Sequence, residues 1–146
     1  MFESAELGHS IDKDVFREEV PKLRAALLDT QFELREKGQF PVIILVSGVD
    51  GAGKSETINV LYEWMDPRYL STLAFSAPTD EEAQRPYMWR FWRALPPKGR
   101  VGIFAGSWYS IPIAERVAGQ MDKGDLDQRM WQINQFEAML VNEGAL

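Results

Sequence analysis

Apolar residues recur at Phe16, Val20, Leu23, Leu27 and Leu34, a helical spacing that predicts an amphipathic helix from about Phe16 to Lys37. Pro21 is expected in its first turn and Gly38 just past its end. The pattern then changes. Val42-Ile43-Ile44-Leu45-Val46 is a continuous, mostly β-branched run, as expected of a parallel strand buried on both faces. A helix from Lys54 to about Met65 stops at Asp66-Pro67, and Tyr69–Phe75 predicts a second strand. Asp80 is the expected cap of a helix reaching about Leu95, with Pro86 as a kink or a delay. Within it Tyr87, Met88, Phe91, Trp92 and Leu95 read as a core stripe. Val101–Phe104 is a short third strand, and a short helix around Ile113–Ala118 follows. The last helix, about Leu126–Leu140, aligns Leu126, Met130, Ile133, Phe136 and Leu140.

Alternating strands and helices imply an α/β domain with a parallel sheet. Three strands are few for such a sheet, and Glu143-Gly144-Ala145-Leu146 reads as a helix end leading toward another strand. The expected organisation is therefore a flexible lead-in over residues 1–15 and one domain over 16–146, cut before its last strand or strands.

Composition narrows the chemistry. The 146 residues include no Cys and one His, His9, which removes thiolate chemistry, multi-histidine metal sites and Ser-His-Asp triads. No apolar run approaches the ~20 residues that span a bilayer, and the acidic start lacks a signal-peptide pattern, so a cytoplasmic location is expected. The net charge of −6 argues against nucleic acid and membrane surfaces as partners. It is uneven, however. Ala83–Ala114 holds Arg85, Arg90, Arg93, Lys98 and Arg100 with no acid, either a solvated basic face or a site for one anionic ligand.

Gly48-Val49-Asp50-Gly51-Ala52-Gly53-Lys54-Ser55 supplies the candidate anion site. Glycines after a strand let backbone N–H groups converge on phosphate oxygens, and a helix N-terminus adds partial positive charge. Gly48, Gly51, Ala52, Gly53, Lys54 and Ser55 are the expected phosphate ligands, with Lys54 on the terminal phosphates and Ser55 on magnesium. A second metal-binding acid belongs at the end of another strand, yet Val101–Phe104 is followed by Ala105-Gly106. Asp50 is left as metal ligand or general base, or simply as a loop former. A generic ATP- or GTP-binding regulatory module satisfies these features too.

Taken in order, this loop, Asp66-Pro67-Arg68, Ala77-Pro78-Thr79-Asp80-Glu81-Glu82, Tyr87-Met88-Trp89-Arg90-Phe91, Ala94-Leu95-Pro96, Ser107-Trp108-Tyr109 and Glu115-Arg116-Val117 resemble the second family of polyphosphate kinases. The resemblance implies a P-loop kinase fold with a helical lid. It also implies magnesium-assisted phosphoryl transfer between polyphosphate and a nucleoside mono- or diphosphate such as AMP or ADP. Asp50 and Lys54 match the family's catalytic loop residues and Arg116 a lid arginine, while Arg85, Arg90 and Arg93 fall where polyphosphate would be guided. The family's Asp-Arg-Ser-Trp-Tyr-Asn-Arg reads here Ala105-Gly106-Ser107-Trp108-Tyr109-Ser110-Ile111, and Ser55-Glu56 replaces a pair of glycines. The chain is thus similar to the degenerate N-terminal copy of a tandem member. It is expected to be weakly active or inactive, paired with a second homologous half and open to homo-oligomer formation.

Overall fold

The computed structural model describes residues 10–49 and 51–146. His9 and Asp50 lie outside the described residues. Helix α1 (Lys13–Lys37) begins three residues before the expected start, because the Asp12 carboxylate accepts the Asp14 N–H at 2.8 Å and caps it. Residues 13–15 therefore belong to the helix rather than to a lead-in. Pro21 sits inside α1, not in its first turn. The N–H it lacks would have bonded the Arg17 carbonyl, which lies on an exposed stretch open to solvent.

Strands β1 (Val42–Val46), β2 (Leu70–Ala74) and β3 (Val101–Ala105) form one parallel sheet in the order β1-β3-β2. Helix α2 (Lys54–Trp64) follows β1, and a 3-10 turn (Pro67–Tyr69) leads into β2. The central position goes to β3, whose residues Val101–Phe104 are all buried, whereas each residue of the more hydrophobic β1 is only half-buried. The continuous apolar run does not mark a strand covered on both faces, because β1 lies at one side of the three. There the backbone of Leu146 reaches it: the Ile43 N–H donates to the Leu146 carbonyl at 2.7 Å and the Leu146 N–H to that of Pro41 at 3.1 Å.

Where one helix from Asp80 to Leu95 is expected, two short pieces stand, α3 (Asp80–Ala83) and α4 (Trp89–Trp92). Thr79, one residue before Asp80, caps α3 by exchanging hydrogen bonds with Glu82. Pro86 stands between the two pieces, since it cannot donate within a helix and disfavours one before it. Helices α5 (Ser110–Val117) and α6 (Lys123–Asn142) complete the order.

Opposite faces of the sheet carry separate cores. Leu34, Met65, Leu70, Val101 and Ile103 pack beneath α1 and α2. Phe91, Phe104, Trp108, Ile133 and Phe136 pack on the other face beneath α4 and α6. Alternation along β3 divides Val101 and Ile103 from Phe104. The expected stripe of Tyr87, Met88, Phe91 and Leu95 lies in the second core, but Trp92 is 53% exposed because α4 turns it away.

Candidate phosphate site

The loop after β1 crosses the carboxyl end of the sheet and opens α2. Gly51 and Gly53 have φ of 81° and 80°, a left-handed backbone that other residues adopt only with strain, and Gly53 caps α2. The N-terminus of α2 is thereby presented with Lys54 and Ser55 in its first turn. The Lys54 ammonium donates to the carbonyls of Gly48 (2.7 Å) and Val49 (2.8 Å), which holds it over the loop. A side chain that already spans the loop can transfer these bonds to an anion at small conformational cost. Gly48, Gly51, Ala52, Gly53, Lys54 and Ser55 lie in this loop and in the first turn of α2.

The neighbouring strand end is built differently. The Phe75 N–H donates to the Ala105 carbonyl, and the Gly106 N–H to that of Val46, both at 2.9 Å. Ser47 Oγ donates to Ser107 Oγ at 2.9 Å, tying the two strand ends together. Gly106 has φ 85°, and a Cβ there would stand 2.9 Å from the Phe75 carbonyl oxygen. This position is closed to any side chain. Among the described residues no three His, Cys, Asp or Glu gather where they could hold a metal ion. Ala105 offers no ligand at this strand end, and the other candidate acid, Asp50, lies outside the described residues.

The expected basic ligands are dispersed. Arg90 is buried beside Phe75 and Phe91 (5.3 and 5.7 Å to the ring centres) and pairs with Glu82 at 3.4 Å, while its Nε and Nη1 have no hydrogen-bond partner among the described residues. Arg85 and Arg93 both stack on Trp89, at 5.4 and 4.6 Å. Arg116 donates to the Met121 carbonyl at 3.0 Å, which closes the end of α5. What faces the loop from α5 is apolar: an open hollow of about 680 Å³ runs from Ser47–Val49 to Tyr109, Ile113 and Val117.

Sequence reasoning did not find Glu137. From α6, one of its oxygens accepts both Trp108 Nε1–H (2.8 Å) and the Tyr109 hydroxyl (2.7 Å), fixing the segment after β3. Burial, then the bond to Glu137, push the Tyr109 hydroxyl up to about 12. Burial raises Tyr87 to about 12 as well, although the nearby Arg129 and Arg90 pull it down, and its hydroxyl donates to the Trp108 carbonyl at 2.8 Å. No local pattern marks these partners, because they meet only through packing of α6.

A glycine-turned loop between a parallel strand and a helix, with helices on both sheet faces, defines a P-loop kinase-like protein. The polyphosphate kinase 2 family model matches residues 10–146, and the chain belongs to that family. It is 56% identical to a polyphosphate:AMP phosphotransferase of Pseudomonas aeruginosa over all 146 residues, which span 29% of that relative. It is 31% identical over 132 residues to an AMP/ADP-polyphosphate phosphotransferase of Meiothermus ruber, covering 90% of this chain and 49% of the other. A solved Pseudomonas aeruginosa structure described as a polyphosphate kinase 2 superposes with a TM-score of 0.93 at 56% identity, covering the whole chain and 31% of that one. The chain thus spans less than a third of the P. aeruginosa relative's length. No helix among the described residues is long and apolar enough to cross a membrane.

Proposed function

We propose that this chain is the phosphate-binding but non-catalytic half of a polyphosphate-dependent nucleotide phosphotransferase, whose chemistry on AMP or ADP is performed by a second homologous half. One observation carries the reading. A loop shaped for phosphate lies beside a strand end where Ala105 carries no acid and Gly106 admits no side chain. Phosphoryl transfer is mostly positioning and charge stabilisation, so a site missing its second acid and its transition-state arginines keeps binding and loses rate. The names of the relatives supply polyphosphate and AMP as the chemical class. The reading extends to the sheet: residues after Leu146 would continue the pairing begun at Pro41 and Ile43 as a further strand beside β1. Should this half retain activity, Asp50 and Ser55 would hold the magnesium that assists transfer, and a cytoplasmic location suits these substrates.

The test is Lys54→Ala in the full-length protein that carries both halves. Calorimetry should show polyphosphate affinity falling at least ~10-fold, since one charge-assisted contact carries roughly 1.5–3 kcal/mol. Turnover of AMP at saturating polyphosphate should change less than ~3-fold. Loss of turnover with binding unchanged would show that the chemistry resides here. Nucleotide binding without polyphosphate binding would favour a regulatory ATP or GTP module.

A further inference from the structure

At the end of the sheet opposite the P-loop, three arginines from three segments meet around one ring. The Arg35 guanidinium, from the last turn of α1, lies 4.5 Å from the centre of Tyr69. Those of Arg68, in the 3-10 turn, and Arg100, immediately before β3, each lie 5.6 Å from it. The turn that carries Tyr69 is fixed from below: buried Gln31 donates to the Asp66 carbonyl at 3.0 Å and accepts the Asp66 N–H at 2.7 Å. One carboxylate serves the cluster, and Arg68 holds it. Asp66 takes the Arg68 Nε at 3.0 Å and Nη2 at 2.6 Å, and this pairing keeps its carboxyl below the ordinary range. Arg100 spends one donor on the Arg68 carbonyl at 3.2 Å. Two positive charges are left over, held side by side on an aromatic face in an otherwise acidic chain.

Asp66 occupies one fork of Arg68, which leaves the Arg35 guanidinium and the remaining donors of Arg68 and Arg100 for phosphate oxygens, and a planar guanidinium fork matches these bidentately. We propose that Arg35, Arg68 and Arg100 around Tyr69 form a second anion site that takes a phosphate chain independently of the P-loop. Tyr69 and Arg100 precede β2 and β3, while the P-loop follows β1 at the other end, so the two sites stand at least a strand length apart, roughly 17 Å. A long phosphate chain can occupy both and an isolated phosphate cannot. The choice of a phosphate chain as ligand rests on the function proposed above, whereas the arginine geometry does not.

Arg35→Gln with Arg100→Gln tests the site, because it leaves the Asp66–Arg68 clamp in place. Calorimetry on the full chain, without magnesium, should find one tripolyphosphate site fewer than in wild type. Affinity for long-chain polyphosphate should drop at least ~10-fold, with a weaker dependence on salt. Each single substitution should lower the affinity on its own, which covers a double variant that folds poorly. Lys54→Ala should leave this site intact. An unchanged site count in folded arginine variants overturns the proposal, as does loss of all tripolyphosphate binding on Lys54→Ala. Loss of one site in the arginine variants with Lys54→Ala silent would instead remove the P-loop reading and keep this one. Titration with ATP separates the sources: loss of tripolyphosphate alone assigns an inorganic chain, and equal loss of both assigns the shared triphosphate. Loss of neither overturns the site.

Discussion

At residue scale, Gly106 separates a missing side chain from a site that can no longer accept one. The sequence marks Ala105 and Gly106 as departures from the family pattern, which suggests that Ala105→Asp with Gly106→Arg would restore a catalytic pair. The structure gives the opposite expectation. An arginine at φ 85°, its Cβ 2.9 Å from the Phe75 oxygen, must move backbone. Left-handed strain alone costs about 1–2 kcal/mol. Gly106→Arg should therefore lower stability by about 2 kcal/mol or more in denaturant unfolding, and the double variant should gain no turnover. A stable double variant with large gain would show that this strand end is still a working catalytic frame. Arg90 illustrates a different limit. Its charge and helical setting predict projection toward an anion, but Phe75, Phe91 and Glu82 enclose it, and those contacts depend on how β2, α3 and α4 come together.

At the scale of elements, periodicity located α2 and β1 to within a residue and placed the end of α1 at Gly38, because local patterning and turn chemistry decide those boundaries. It missed the break between α3 and α4, where Pro86 overrides an apolar stripe, and it missed which strand is central. Sheet order is a matter of crossover connections, which no single strand encodes. Pairing of α6 with the segment after β3 was equally invisible, yet Glu137 gives it a testable weight. Glu137→Ala leaves a buried Trp108 N–H and the Tyr109 hydroxyl without their acceptor, at about 1–3 kcal/mol for each such group. The unfolding midpoint should fall accordingly, and Trp108 emission should shift as water reaches the indole. Glu137→Gln, which keeps an accepting oxygen, should recover most of the loss. Equal damage from Gln and Ala would mean that charge rather than hydrogen bonding holds the segment.

For the whole molecule, one sheet separates two cores, and the one beneath α4 and α6 carries two tyrosines with raised hydroxyls. Tyr87 packs against the core beneath α4 and α6, as Tyr109 does, and both are pushed up to about 12 from an ordinary value near 10. The raised values mean that the folded state favours the neutral phenol more than the unfolded chain does. Their contribution is fully present below about pH 10. It is lost as pH rises from 10 toward 12, where the unfolded chain ionises first. Denaturant unfolding at intervals from pH 9 to 12 should thus show falling stability across that window. Lysines titrate there too, so the decisive quantity is the difference between wild type and Tyr87→Phe or Tyr109→Phe. Each phenylalanine variant loses a hydrogen bond and starts lower at pH 9, but should decline less steeply. Parallel slopes in all three would show that neither phenol is sheltered, and that the α4–α6 core admits water at the carboxyl end of β3, next to the phosphate loop.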